Sequence, residues 1–513
     1  MHQRFIQVAV SIGLAATLVG TSGLATTGAA LAAPGAAGAT FLNPSSSTDS
    51  PSIRIDPQGG LHLGMAGYFT GINPGDDPTQ PGYYAYCPPG ADCGQSASWS
   101  QVRLGAHVQA AQLQLTPAGQ PRIVFETADG SAGGSDTSSY WYGSCDTGCT
   151  DAANWSWVDL VDTGTIDGTI WDQTKHSFAL DAQGHPRFVY GSGTLVYAAC
   201  DSACTDTTTD PASGQTVPAN WQYATVEQGL YINEPSLALS STGQPRLVGF
   251  AYNPADFSFN VAYLECNAGC TDAGQWTTTT LMPQGSAPLA ASLRLDQNDR
   301  VGLALSQNNQ LWYWQCAGGC SDVANWLWNR FDGLSGDVQD PDLAFDAQNQ
   351  PHLALRSMGG PFGWGLAMVT CTADCAGTAG AWTGGLLEDS SRLAQDLPQL
   401  RPANCTEGGW FGDFRPSLAL DAAGNPFVGF DNQFWVAGCS DSVQVRTEFE
   451  AVRVVLSGSP SALGQARTAQ AARTPVAHLA SSHGSGASLG HHPSRHLPHP
   501  GHPVQHRPPH GRA

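Results

Sequence analysis

Seven side chains carry chemistry suited to holding a ligand: Trp171, Asp172, Glu234, Asp340, Trp364, Trp410 and Arg415. Indole faces stack on sugar rings. Carboxylates accept hydrogen bonds from sugar hydroxyls or hold a hard cation such as calcium. Paired carboxylates also perform acid–base work on glycosidic bonds, so Asp172, Glu234 and Asp340 are candidates for catalysis as well as binding. Lys175, Tyr231, Asn233, Asp337 and Asp413 stand near them in sequence. The stretch Ser391–Phe414, with Glu407, Trp410 and Phe411, is expected to be the longest connection, a lid or recognition loop. The competing reading is that all of these are solvated loop residues.

The cysteines have a second chemistry. Fourteen are present. Twelve form local pairs: Cys87/Cys93, Cys145/Cys149, Cys200/Cys204, Cys266/Cys270, Cys316/Cys320 and Cys371/Cys375. Five pairs are spaced C-x3-C and the first C-x5-C. Zinc needs four converging ligands, and these pairs recur one per repeat without histidine partners, so disulfides are expected. Each should clamp the tip of the hairpin between third and fourth strands. Each short loop is worth about 2 kcal/mol by the chain-entropy model. Cys405 and Cys439 remain and are expected to bond to each other.

The elements that position these residues come from a repeat. An apolar-alternating run, Asp, a few small residues, Gly-x-Pro and a second run recur as SFALDAQGHPRFVY from Ser177, SLALSSTGQPRLVGF from Ser236 and SLALDAAGNPFVGF from Ser417. Further copies start at Ser52, Gln112, Ser292 and Asp342, with the Asp slot at Asp56, Thr116, Asp181, Ser240, Asp296, Asp346 and Asp421. A third run ends in the first cysteine, with Tyr84, Tyr142, Tyr197, Tyr263 or Tyr313 three residues earlier. A tryptophan opens the fourth: Trp99, Trp155, Trp221, Trp276, Trp326 or Trp382. Period-two alternation reads as half-buried strands, and Asp-x-x-Gly-x-Pro as a turn. Four-stranded meanders repeated in this way close into a ring. The expected fold is all-β: a seven-bladed β-propeller of four-stranded antiparallel blades over residues 50–456. An open solenoid or paired β-sandwiches are the alternatives. Asp172, Glu234, Asp340 and Arg415 each precede an innermost strand and should converge at the channel mouth, with Trp364 in a second-to-third-strand loop. The basic slot after the turn proline (His62, Arg122, Arg187, Arg246, His352) reads as structural hydrogen bonding, and the repeated Trp and Tyr as blade packing.

The SLALDAxGxPxxxY repeat resembles those of exported bacterial propellers described as sialidase-like or BNR-type repeat proteins. The resemblance spans about residues 50–456 and implies the architecture. The Asp-box pattern Ser-x-Asp-x-Gly-x-x-Trp is absent from the repeats. Its nearest relative, Thr165–Trp171, is one residue short and lies in a connection between blades. No catalytic residue is carried over.

Outside the repeats, residues 1–32 read as a signal peptide, with His2 and Arg4, an apolar stretch from Val8 to Val19, and Ala30-Leu31-Ala32 for cleavage. A secreted, extracellular protein is expected, joined to the ring by a 33–49 linker. The formal charge of −21 argues against nucleic acid, and no later stretch is apolar enough to span a membrane. Residues 457–513, with nine histidines, five arginines and no acid, are expected to be disordered. Its imidazoles could take a transition metal or charge against anionic cell-wall polymer below about pH 6.5. No cofactor is required, a calcium ion in the propeller being the one option, and a monomer is expected. The leading expectation is a binding protein for a carbohydrate or cell-surface polymer. A glycan hydrolase or lyase and a structural scaffold are the alternatives.

Overall fold

The structure, a computed structural model, describes residues 40–41, 48–67, 79–129, 137–162, 176–191, 194–228, 231–253, 258–285, 290–307, 310–331, 337–359, 363–377, 381–389, 405–439 and 447–456. All fall within the compact unit spanning residues 1–472. The signal-peptide and tail expectations lie outside them.

These residues form an all-β propeller of four-stranded antiparallel blades. β1 (Thr40–Phe41) comes first in the chain but belongs to the last sheet. The first blade is β2 (Thr48–Ile55), β3 (Leu61–Gly67), β4 (Gly82–Cys87) and β5 (Ser100–Leu104). The second is β6 (Val108–Leu115), β7 (Pro121–Asp129), β8 (Thr137–Ser144) and β9 (Ser156–Asp162). The third is β10 (Phe178–Leu180), β11 (Pro186–Tyr190), β12 (Thr194–Cys200) and β15 (Trp221–Gln228), with a small hairpin, β13 (Thr207–Thr209) and β14 (Thr216–Pro218), inserted before its last strand. The fourth is β16 (Tyr231–Leu239), β17 (Pro245–Asn253), β18 (Ser258–Cys266) and β19 (Trp276–Gly285). The fifth is β20 (Ala290–Leu295), β21 (Val301–Gln307), β22 (Gln310–Cys316) and β23 (Trp326–Arg330). The sixth is β24 (Asp337–Phe345), β25 (Pro351–Gly359), β26 (Gly363–Cys371) and β27 (Trp382–Asp389).

Six blades are therefore built as the repeat predicts. The expectation of seven alike is corrected: the remaining sheet has the order β1-β30-β29-β28, from β28 (Cys405–Leu420), β29 (Pro426–Cys439), β30 (Thr447–Leu456) and the N-terminal β1. Thr40 and Phe41 pair with Val454 and Arg453, so the 33–49 stretch contributes a strand and is not only a linker. The reason is geometric. Among the described residues the last repeat supplies three strands, β28–β30, and the N-terminal β1 covers the edge of β30 that would otherwise expose unpaired backbone.

Each turn between first and second strands is closed by its own side chain. Asp56 Oδ1 accepts from the amides of Gln58 (2.9 Å) and Gly60 (2.7 Å), and Asp346 Oδ1 from those of Gln348 (2.9 Å) and Gln350 (2.8 Å). The next turn position is left-handed: Gly184 has φ +84°, and Asn349, where no glycine is present, φ +59°. The basic slot does hydrogen-bond structurally: Arg122, Arg187 and Arg246 donate to the carbonyls of Cys145, Cys200 and Cys266 at 2.8–2.9 Å. His62 instead bridges Asp56 and Tyr84.

All six local disulfides form: Cys87–Cys93, Cys145–Cys149, Cys200–Cys204, Cys266–Cys270, Cys316–Cys320 and Cys371–Cys375, each with Cα atoms 5.7–5.9 Å apart. The first cysteine of every pair is buried. The second lies in the turn toward the fourth strand, where Cys93 and Cys320 are buried and Cys149, Cys204, Cys270 and Cys375 half-buried. Each stapled loop is then tied to the tryptophan that follows, whose indole N–H donates to the second cysteine's carbonyl. Trp99 donates to Cys93 (3.0 Å), Trp155 to Cys149 (2.9 Å) and Trp221 to Cys204 (2.8 Å). Trp276 donates to Cys270 (2.9 Å), Trp326 to Cys320 (2.8 Å) and Trp382 to Cys375 (2.9 Å). From Trp155 onward, the same indole meets the tyrosine of the preceding blade edge-on: Tyr84–Trp155, Tyr142–Trp221, Tyr197–Trp276, Tyr263–Trp326 and Tyr313–Trp382, with centroids 5.1–5.5 Å apart. Repeated tyrosine and tryptophan are thus packing between neighbouring blades.

Candidate functional site

The inner strands place the chemistry in three successive levels. They pack side by side in the order β2, β6, β10, β16, β20, β24, β28 and back to β2.

The first level is the strand entrance. Ser50, Asp340 and Arg415 occupy left-handed backbone (φ +49°, +52° and +48°), and each precedes a proline: Pro51, Pro341 or Pro416. A residue before proline is driven toward extended backbone, so each such position stores about 1–3 kcal/mol. A bulge in the inner-strand register coincides with each. Asp340 and Arg415 sit within β24 and β28 rather than ahead of them. The Arg415 amide points at Asp340 Oδ2 at 3.5 Å, and both side chains are part-exposed. Glu234 lies in β16 within another such bulge, between Asn233 and Ser236. Trp171 and Asp172 lie outside the described residues. Trp364 is corrected from a loop to strand: it is the second residue of β26, opposite Met358. The recognition-loop expectation for Ser391–Phe414 is likewise corrected. From Cys405 onward that segment is the inner strand β28, in which Trp410 pairs with Phe434 and Cys405 stands opposite Cys439 at the end of the sheet's second strand. Alternating apolar residues are scarce there, which hid the strand.

The second level, one pleat further along, joins blade to blade. Ser52, Gln112, Ser177, Ser236, Ser292, Asp342 and Ser417 head the seven repeats, and all are buried. The Oγ of Ser417 accepts from the Ile53 amide (3.0 Å), Ser52 from Leu113 (2.9 Å), Ser236 from Leu293 (2.9 Å) and Ser292 from Leu343 (3.0 Å). Gln112 Oε1 accepts from Phe178 (3.0 Å) and Asp342 Oδ2 from Leu418 (2.7 Å). At the one remaining junction the His176 carbonyl accepts from Leu237 (2.6 Å). Every inner strand thus holds a backbone amide of the next.

The third level lies in the bore. Two residues beyond the tie, the third, fourth and sixth blades carry Ala179, Ala238 and Ala344 and the composite sheet Ala419, while the first, second and fifth blades carry Arg54, Gln114 and Arg294. Arg294 Nη2 donates to His176 Nδ1 at 2.6 Å. Since β16 lies between the inner strands beside which these residues stand, the contact bypasses one blade. Arginine can only donate, so His176 Nδ1 is the acceptor and Nε2 carries the proton. That proton goes to Asp342 Oδ1, 2.9 Å away, and His176 is neutral. Asp342 Oδ1 also accepts from Arg294 (3.2 Å) and Ser292 (3.1 Å). Arg54 donates from Nε to Gln114 (3.0 Å) and from Nη1 to the Ile53 carbonyl (2.6 Å). Enclosure by the ring, then repulsion from Arg294, lower the Arg54 guanidinium to about 10, with Asp342 pulling the other way. Enclosure also lowers Arg294, again opposed by Asp342. Arg294 keeps 23% of its side-chain surface open, so it faces a space that solvent reaches and not packed core.

The stapled cysteines stand on none of these levels. Cys87, Cys145, Cys200, Cys266, Cys316 and Cys371 close the third strand of their blades, and Cys93, Cys149, Cys204, Cys270, Cys320 and Cys375 lie in the turns that follow. Their part is to fix the hairpins outside the inner strands, and they offer no thiolate to a ligand or metal. Elsewhere, Asp181, His185 and Asp201 lie close enough to share a cation. Arg187 already supplies it, donating to Asp181 at 3.0 Å and Asp201 at 2.6 Å. Glu126 is 2% exposed, with neither carboxyl oxygen hydrogen-bonded among the described residues. Burial raises its carboxyl well above the usual range.

Sequence reasoning quoted Ser52, Ser236 and their equivalents as repeat starts without seeing their role, and missed Arg54, His176 and Arg294. The available signal was the break in the alanine column.

No protein-family model matches the chain. No curated protein matches it either. Among solved structures, it is similar to a protein of unknown function from Dyadobacter fermentans (12% identity, 82% of this chain and 97% of that one, TM-score 0.41). It is also similar to an α-L-arabinanase from Penicillium chrysogenum complexed with arabinobiose (11%, 82% and 97%, 0.36). A third is the NanB sialidase from Streptococcus pneumoniae (10%, 81% and 69%, 0.36). What fold and site define is a disulfide-stapled β-propeller with a charged bore. Among the described residues, no helix is long and apolar enough to cross a membrane.

Proposed function

We propose that this is an exported binding propeller whose channel-mouth face recognises a carbohydrate or cell-surface polymer. Asp340 and Arg415 are its described anchors, with Trp171, Asp172, Glu234, Trp364 and Trp410 completing the contact face. The observation that supports this most is the strained entrance. Opposite charges on adjacent inner strands are held in left-handed backbone that proline disfavours, near the start of those strands. Such strain persists only where surrounding structure enforces it, and it clusters at ligand clamps. A carboxylate and an arginine on neighbouring strands suit the donors and acceptors of a sugar, and indoles suit its faces. In the same reading the sheet of β1 and β28–β30 serves as the seventh blade, with Cys405 and Cys439 bonded across it. Six disulfides fit an oxidising, extracellular compartment.

The test is a glycan array on the secreted chain, paired with a reducing-end release assay on every binder found. Binding that Asp340→Ala or Arg415→Ala abolishes, without turnover, supports the reading. Turnover would replace it with a glycan hydrolase or lyase. Binding indifferent to both substitutions would move the site elsewhere.

A further inference from the structure

We propose that the bore is an oxyanion-binding site, in which the Arg54 and Arg294 guanidiniums take one carboxylate, sulfate or phosphate group, free or carried on a sugar. The inference uses residues separate from the mouth-face anchors and stands whether or not that face binds a neutral glycan.

Three observations carry it. The first is charge. Asp342 is fully engaged, its two oxygens accepting from Ser292, His176, Arg294 and the Leu418 amide. With His176 neutral, two guanidiniums stand against one carboxylate among the described residues at this level, a surplus of positive charge enclosed by the ring. An enclosed surplus charge is costly unless something compensates it. The second is preorganisation. Gln114 fixes Arg54 through Nε while donating its own amide to the Phe178 carbonyl at 2.9 Å, and the Leu293 carbonyl holds Arg294 Nη1 at 2.9 Å. Among the described residues, Arg54 Nη2 and Arg294 Nε have no protein acceptor, so each guanidinium keeps a donor for a ligand. The third is room. Arg54 and Arg294 are both part-exposed despite the enclosing ring, Arg294 keeping 23% of its side-chain surface open. Guanidinium forks match planar and tetrahedral oxyanions in geometry as well as charge.

The experiment uses the full chain in scanning and titration calorimetry at constant ionic strength held with chloride. The probes are sodium sulfate, inorganic phosphate, glucuronate and, as neutral control, glucose. Arg54→Gln is the informative variant, because Arg54 does not touch Asp342 and its removal leaves the Asp342–His176–Arg294 contacts in place. The site predicts saturable binding of at least one oxyanion, weakened roughly tenfold or more in R54Q and less in R54K, and no response to glucose. Glucuronate binding more tightly than sulfate or phosphate indicates a sugar-borne anion, and the reverse a free one. Sulfate stabilises proteins nonspecifically, so only the difference between wild type and variant counts. If R54Q does not melt cooperatively, R54K is read in its place. Equal responses of wild type and a folded variant to every anion, or no saturable binding by wild type, overturn the proposal.

Discussion

Asp342→Asn is the substitution that probes the ring most sharply. The native carboxylate joins three inner strands: it accepts from Ser292 and Arg294 on β20, from Leu418 on β28, and from His176 beside β10. It is fully buried and balances both bore arginines. An asparagine presents an N–H where either Leu418 or the Arg294–His176–Ser292 group already donates, and it removes the charge. Breaking one side of a buried pair costs about 3–5 kcal/mol, so about 4 kcal/mol is expected. For a ring of about 400 residues the unfolding entropy is about 0.8 kcal/mol/K, which converts that loss to a fall in Tm of roughly 5 °C. Scanning calorimetry measures it. Adding Arg294→Met to Asp342→Asn should recover part of the loss, because the unpaired guanidinium goes with it. A fall below about 1 °C, or a double variant no better than additive, would refute the reasoning.

Glu126 predicts a pH effect. Its folded-state affinity for the proton is raised by burial, so its contribution to stability is whole below the unfolded value near 4.5 and is lost as pH rises toward the folded one. The slope is about 1.4 kcal/mol per pH unit. Denaturation of wild type and Glu126→Gln from pH 4.5 to 8 should show the variant gaining relative stability as pH rises, and parallel curves would contradict it. Replacing Cys316 and Cys320 together by serine should cost about 2 kcal/mol and loosen Trp326, readable as increased quenching of its fluorescence. A chain shortened to begin at Ser45 lacks β1 and leaves β30 as an open edge. Light scattering should show it associating at concentrations where the intact chain does not.

The repeat was legible because its signals are local. Asp-x-x-Gly-x-Pro closes a turn on its own side chain, and a C-x3-C pair such as Cys145 and Cys149 closes on itself within one hairpin. The arginine after the turn proline reaches a carbonyl on the paired strand. What escaped depends on neighbours far away in sequence. Ser236 finds its partner amide at Leu293, and Tyr263 its tryptophan at Trp326, on the next blade. His176 meets Arg294 118 residues on. Nothing in a single repeat shows which side chain crosses a blade boundary or reaches past a neighbouring blade. The final sheet was misread because β1 is two residues long and Glu407–Phe414 has no alternating pattern. Of the proposed contact residues, Asp340 and Arg415 are brought together. The side-chain positions of Trp171, Asp172, Glu234, Trp364 and Trp410 lie outside the described residues.

Native-state hydrogen exchange puts the closed ring to the question most directly, by following the amides of Ile53, Leu113, Phe178, Leu237, Leu293, Leu343 and Leu418. If each inner strand truly holds the next, all seven exchange only through global unfolding, with one shared free energy. Fast, independent exchange at Ile53 or Leu418, where the composite sheet meets its neighbours, would mean that the circle is not closed.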